Sequence, residues 1–284
     1  MGEIIYGTEL SAERKQKLKE RVDGIRAQGK RIPCLAVISA GSDAASASYM
    51  RGRQKACDEV GIMTKVIILP EGSRQADLEN AIAECNDDST VDGILLQLPL
   101  PKGMDEERAL RLIDPAKDVD GQHPLNVARM HLNKPGFVPC TPRGIMAVLA
   151  RMGAPLDGCQ AVVVGRSSLV GSPVAKLLLN ANATVTTCHS HTKNLAEVCR
   201  QADVLVVAIG KARMITADYV KEGACVVDVG VNRTADGKLC GDVDFDGVFD
   251  KVAAITPVPR GVGPMTTCML LENTMKAYEE RQVW

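Results

Sequence analysis

Apolar and polar positions change their period along this chain, and the changes mark out elements. In residues 11–28, Leu18, Val22 and Ile25 recur at helical spacing among Glu, Lys and Arg, which predicts an amphipathic helix ending at Gly29. Short apolar runs follow at 33–39, 65–69 and 93–98, with helical patterns at 47–60 and 75–86. Strand, helix, strand, helix in this order predicts parallel strands covered by helices. Residues 99–142 break the rhythm. Prolines stand at 99, 101, 115, 124, 135, 139 and 142, so the stretch reads as a loop-rich connection, either linker or functional segment. The alternation then resumes, with strands predicted at 161–165, 183–188, 204–209 and 224–229 and helices at 172–180, 193–201 and 216–221. This second half has the pattern of a Rossmann-type nucleotide domain, and residues 265–281 predict a closing helix. The expected fold class is α/β in two domains.

Composition narrows the picture. Aromatics are only 3% of 284 residues, so the core is expected to rest on Val, Ile, Leu, Ala and Met, as parallel sheets buried on both faces do. Lys and Arg number 34 against 35 acids, a balance that argues against nucleic acid as the main partner. The ten cysteines are scattered, mostly inside apolar runs, with no C-x-x-C pair. That pattern predicts reduced, buried thiols rather than a disulfide framework or metal site. The residues after Met1 show neither a basic n-region nor a long apolar run, and no run approaches the ~20 residues of a membrane helix. The expectation is a cytoplasmic protein with no membrane partner.

The most informative stretch is Ala161-Val162-Val163-Val164-Gly165-Arg166-Ser167-Ser168-Leu169-Val170-Gly171-Ser172-Pro173. An apolar strand runs through Gly165 and a polar turn to Gly171, and the helix is expected to open with Ser172 as N-cap and Pro173 at N1. Backbone N–H groups and the helix dipole at such a start can hold a pyrophosphate. Ser167 replaces the middle glycine of G-x-G-x-x-G, and a plain strand-to-helix turn is the alternative. An NAD site places an acid at the end of the next strand, about 20 residues on. Here that strand ends Cys188-His189-Ser190-His191-Thr192-Lys193, with no acid. Arg166, Ser190 and Lys193 suit a 2′-phosphate instead, which favours NADP; solvated surface charges are the alternative for Arg166 and Lys193.

Five segments together resemble the methylenetetrahydrofolate dehydrogenase/cyclohydrolase family, and they occur in its order. They are Asp92 through Gln97-Leu98-Pro99 to Pro101, Asp118-Val119-Asp120-Gly121, Pro139-Cys140-Thr141-Pro142, Gly165 to Pro173, and Ile255 through Gly263-Pro264 to Thr266. The similarity runs from about Ser46 almost to the C-terminus. It implies an N-terminal folate-binding catalytic domain (1–140 with 267–284), a Rossmann-type NADP-binding domain (141–266), an active site in the cleft, and a homodimer. The implied reaction moves a hydride from 5,10-methylenetetrahydrofolate to NADP⁺, and a second activity hydrolyses the methenyl product to 10-formyltetrahydrofolate.

Site residues follow from the same resemblance. Tyr49, Gln97, Leu98, Pro99, Asp120, Gly263 and Pro264 are implied to bind substrate, with Arg53, Gln97 and Asp120 as the catalytic set. A core role for Tyr49 and a turn role for Asp120 before Gly121 are the alternatives. Cofactor contacts are implied for Thr141 and for Gly165, Arg166, Ser167, Val170, Gly171, Ser172 and Pro173. His189, Ser190, Gly210 and Val231 complete that set, and no metal is expected.

The chain departs from the family's pattern at three places. The family has a lysine four residues after the tyrosine, on the face that Tyr49 shares with Arg53. A guanidinium keeps the charge but is a poor general acid or base, which points to a weak or lost cyclohydrolase. Lys55 is no substitute, since two residues on a helix turn about 200°. Arg260 stands where the family has glycine, and is expected to reach folate carboxylates, phosphate or solvent. Gln122 is a milder change. Three readings stay open beside the dehydrogenase: a fully bifunctional enzyme, another NADP oxidoreductase, and a non-catalytic nucleotide-binding protein.

Overall fold

A computed structural model describes residues 2–41 and 44–281, with residues 44–49 described by their backbone alone. The chain forms two compact units, Glu13–Val138 with Thr267–Trp284, and Met1–Ala12 with Pro139–Thr266. In chain order, β1 (Glu3–Ile4) and α1 (Gly7–Ala27) come first. The predicted alternation follows: β2 (Cys34–Ala40), α2 (Ala44–Val60), β3 (Met63–Leu69), α3 (Gln75–Asp87) and β4 (Gly93–Leu96). These strands make a parallel sheet in the order β3-β2-β4, with Val37 of the central strand paired to Val66 and Leu95. Ile38, Ile94 and Leu96 pack with Leu78, Ile82 and Cys85 of α3 in one core. The edge strand β3 leaves Met63, Val66 and Ile68 exposed.

The proline-rich stretch is more regular than its composition predicts. It contains α4 (Glu106–Leu112), α5 (Pro124–His131) and the start of α6 (Cys140–Arg151). Three of the prolines sit where a helix needs no donor: Pro124 opens α5, Pro139 is the N-cap of α6, and Pro142 lies in its first turn. Between α4 and α5 the chain passes beside β4, where the Ile94 N–H donates to the Lys117 carbonyl at 2.7 Å. Lys117 is buried, and its Nζ donates to the carbonyls of Cys85, Asn86 and Asp88 at 2.9, 2.7 and 2.8 Å. One ammonium thus terminates α3, and burial pushes its pKa down.

The other unit holds β5 (Gln160–Val164), α7 (Gly171–Asn180), β6 (Thr184–Cys188), α8 (Leu195–Cys199), β7 (Val204–Val207) and β8 (Cys225–Asp228). A hairpin of β9 (Asn232–Arg233) and β10 (Leu239–Cys240), then α9 (Phe245–Val248), β11 (Ala254–Ile255) and α10 (Val262–Arg281), complete the chain. The main sheet is parallel, in the order β1-β11-β8-β7-β5-β6. Strands β7 and β8 are buried throughout, which is why Val204–Val207 and residues 225–227 read as apolar runs. The helix predicted at 216–221 is a single 3-10 turn, Ala217–Tyr219.

The domain boundary differs from 1–140 at its start. Met1–Ala12 belongs with Pro139–Thr266, because Glu3 and Ile4 pair in parallel with Ala254 and Ile255. Gly7 fixes the junction: a Cβ there would lie 1.8 Å from the Gly261 carbonyl oxygen. A two-residue strand carries no detectable period, so sequence patterning passes over it.

Candidate active site

In the unit that the resemblance assigns to folate, Gln97 follows β4, and its N–H donates to the Ile38 carbonyl at 2.8 Å. That bond extends the sheet by one residue and leaves the side chain, 7% exposed, fixed at the strand's C-terminal end. Its Nε2 donates to the Leu98 carbonyl at 2.8 Å, and its Oε1 accepts from Arg53 Nη1. The structure therefore joins Arg53 and Gln97 directly, and Arg53 is half-buried while Lys55 is exposed, as the helical spacing predicts. Leu98 and Pro99 follow at a cis peptide bond. Tyr49 lies in α2, but its side chain is outside the described residues.

Asp120 sits on the segment that passes β4, and its Oδ2 accepts from the Gln122 amide. The departure at Gln122 is thus in contact with a predicted catalytic group. Three residues that carry no role in the sequence reading hold this segment. Asp118, 1% exposed, accepts from the N–H groups of Gln122 and His123 at 3.1 and 2.8 Å and from Asn126 Nδ2 at 2.8 Å. Burial raises its pKa, against those three donors. Asn273 of α10 donates to the Val119 carbonyl at 2.7 Å. Asp118 lies in the Asp118–Gly121 motif, whereas Asn273, between Glu272 and Thr274, carries no such signal. Gly263 and Pro264 lie in the first turn of α10, in the same unit as the nucleotide residues.

Arg260 has φ +81°, a left-handed value that suits the family's glycine, and its guanidinium lies 4.5 Å from the centre of the Tyr6 ring. It is thus spent on an aromatic contact at the β1–α1 junction.

On the nucleotide side, Gly165 and Gly171 form the turn after β5. Gly165 has φ +126°, and a Cβ on Gly171 would sit 2.2 Å from the Gly165 carbonyl oxygen, so only glycine permits this approach. The helix start differs from the expected one. α7 begins at Gly171 with Val170 as N-cap, which places Ser172 and Pro173 inside the first turn. The capping oxygen comes from Ser167, whose Oγ accepts from the N–H groups of Val170 and Gly171 at 3.2 and 3.4 Å. The residue that replaces the fingerprint's middle glycine thereby holds the turn. Arg166, Ser167 and Ser168 are exposed above it. At the end of β6 the His189 N–H donates to Thr192 Oγ1 at 2.9 Å, which closes a tight turn bearing the exposed Ser190 and Lys193. Thr141, in α6, meets Thr266 Oγ1 at 2.9 Å. A glycine cradle at a helix start, with Arg166 and no acid at the end of β6, fits a phosphorylated dinucleotide. Gly210 and Val231 lie in the loops after β7 and β8.

Asp228, at the end of β8, is 3% exposed and accepts from the N–H groups of Gly230, Asp242 and Val243 at 2.9, 3.0 and 2.9 Å. Burial nevertheless pushes its carboxyl up to about 6, and nearby Asp242 adds to the rise. A carboxyl that binds its proton more tightly when folded adds most stability below its unfolded pKa near 3.9. That contribution is lost as pH rises through about 6. Relative to Asp228→Asn, the wild type is expected to lose roughly 2–3 kcal/mol between pH 4 and 7, read from urea midpoints across that range. A pH-independent difference would contradict the assignment.

Among the described residues no group of His, Cys, Asp and Glu comes together to hold a metal ion, and no helix is long and apolar enough to cross a membrane.

Comparison with known proteins agrees with this geometry on both sides. Residues 5–120 match the catalytic domain, and residues 139–282 the NAD(P)-binding domain, of tetrahydrofolate dehydrogenase/cyclohydrolase. The bifunctional protein FolD of Oceanobacillus iheyensis is 53% identical over 277 residues, 98% of this chain and 97% of that protein. The bifunctional FolD methylenetetrahydrofolate dehydrogenase/cyclohydrolase from Campylobacter jejuni superposes with a TM-score of 0.96 at 46% identity, covering 99% of this chain and 100% of that one. The Trypanosoma brucei methylenetetrahydrofolate dehydrogenase-cyclohydrolase, solved with NADP cofactor and an inhibitor, gives 0.94 at 36% identity over 99% and 98% of the two chains. With both of its domains matched in order, this chain belongs to the tetrahydrofolate dehydrogenase/cyclohydrolase family.

Proposed function

We propose that the chain oxidises 5,10-methylenetetrahydrofolate to 5,10-methenyltetrahydrofolate by hydride transfer to NADP⁺. The observation that carries this reading is the end-to-end match to relatives about half identical in sequence. NADP⁺ supplies the hydride acceptor, so the protein's task is to bind and orient. The Asp120 carboxylate accepts from paired N–H donors of the pterin and fixes its direction. Gln97, clamped by its own Nε2 and by Arg53, presents a rigid polar edge beside it. The Gly165–Gly171 turn takes the pyrophosphate, and Arg166 with Ser190 takes the 2′-phosphate.

The second activity is where two readings divide. Arg53 supports a weak or lost cyclohydrolase, because hydrolysis of the methenyl bridge needs a proton moved and a guanidinium holds its own. The relatives' names favour the fully bifunctional reading. Supplying methenyltetrahydrofolate alone, without NADP⁺, separates them. With Arg53 limiting, its loss matches that in buffer; an enzyme-dependent loss well above buffer establishes the bifunctional enzyme.

A homodimer and a cytoplasmic location belong to the same proposal. The exposed Met63, Val66 and Ile68 on the edge strand β3 support a partner there, since an unpaired apolar edge is a pairing template. The ten buried cysteines suit a reducing compartment.

A further inference from the structure

The C-terminal edge of the six-stranded sheet hides a second carboxylate that none of the roles above uses. Asp242 follows β10 and is 0% exposed. Its Oδ2 accepts from the N–H groups of Ile209 and Gly210 at 2.7 and 3.0 Å. Its Oδ1 accepts from the Lys211 N–H at 2.7 Å and from Asn232 Nδ2 at 2.9 Å. Three successive backbone N–H groups converging on one anion form a nest, and here the anion is part of the chain. The loop after β7 and the loop after β8 are thereby tied to a single group.

The carboxylate has little freedom of its own. The Asp242 N–H donates to Asp228 Oδ1 at 3.0 Å, and its carbonyl accepts from the Ile215 N–H at 3.0 Å. Gly230 packs against it so closely that a Cβ would lie 2.3 Å from the Asp242 Cγ. The opposite face of the two loops is open. Gly210, at φ +66°, has no atom within 4 Å of where a Cβ would be, and Val231 is 65% exposed. In an open parallel sheet this edge is where a dinucleotide lies.

We infer that Asp242 is a positioning residue for the cofactor, fixing the Gly210 and Val231 loops in one arrangement before the dinucleotide arrives. The inference rests on the proposed NADP-linked function. A loop held in its bound form loses less entropy on binding, so the carboxylate acts on affinity rather than on the hydride step. Asp242→Asn keeps the shape but turns one acceptor into a donor facing backbone N–H groups, which frees part of the loop.

The test titrates NADP⁺ calorimetrically into folded wild type and D242N. The expected result is a Kd about tenfold higher at unchanged stoichiometry, with faster amide exchange at residues 209–211. A merely structural role gives the opposite split: fewer competent sites, unchanged Kd, and the inference is overturned. If D242N does not fold, Asn232→Ala decides, since it removes one donor and leaves the carboxylate. It is expected to raise Kd about threefold, and no change overturns the inference. The titration needs no folate. Absent dehydrogenation in a wild type that binds NADP⁺ counts against the proposed function alone, whereas a wild type that fails to bind NADP⁺ overturns both.

Discussion

Replacing Arg53 by lysine is expected to raise methenyltetrahydrofolate hydrolysis at least about tenfold, with dehydrogenation changed less than about threefold. Arg53 touches Gln97 through Nη1, just past the end of β4, where the proposed function places the folate. A lysine reaches the same acceptor with a point charge, so the electrostatic contribution to folate binding survives. What it adds is a group able to give up and regain a proton near neutral pH when desolvated. General acid–base catalysis contributes roughly 10²–10⁴-fold, and recovering part of it meets the expected rise. Hydride transfer needs no such group, which is why the two activities separate. Equal hydrolysis by wild type and R53K, both well above buffer, would remove Arg53 from the account.

The second large effect is on stability. Lys117→Met is expected to cost about 3–4 kcal/mol, read as a lower urea midpoint. The ammonium is the shared donor to three carbonyls at the end of α3, and a thioether of similar length leaves them without it. Relief of the buried charge offsets part of this cost, since burial already disfavours the ammonium. The same change loosens the Lys117–Asp120 segment beside β4, so folate KM is expected to rise with it. A loss below about 1 kcal/mol would mean that water replaces the ammonium at those carbonyls.

Much of this architecture is legible in the sequence. Short apolar runs such as 204–207 and 225–227 announce buried parallel strands because both faces need covering. Gly165 and Gly171 announce a close backbone turn, and the five ordered segments announce the family. What the sequence hides has several physical causes. β1, β11 and the β9–β10 hairpin have two residues per strand, too few for a period to register. Proline density suggested loops where it marks helix starts, at Pro124 and Pro139. Ser172 looked like the N-cap because serine favours that place, but the Gly165–Gly171 contact starts the helix earlier and Ser167 supplies the oxygen. Asp242 and Asn273 act through backbone groups distant in sequence, so no local pattern reveals them.

The central claim is tested most directly by an absorbance time course with methylenetetrahydrofolate and NADP⁺, following NADPH and methenyltetrahydrofolate separately. The account predicts that both appear together, one methenyl product per NADPH, and that the methenyl product then persists as long as it does in buffer. No NADPH with either NADP⁺ or NAD⁺ would contradict the dehydrogenase itself.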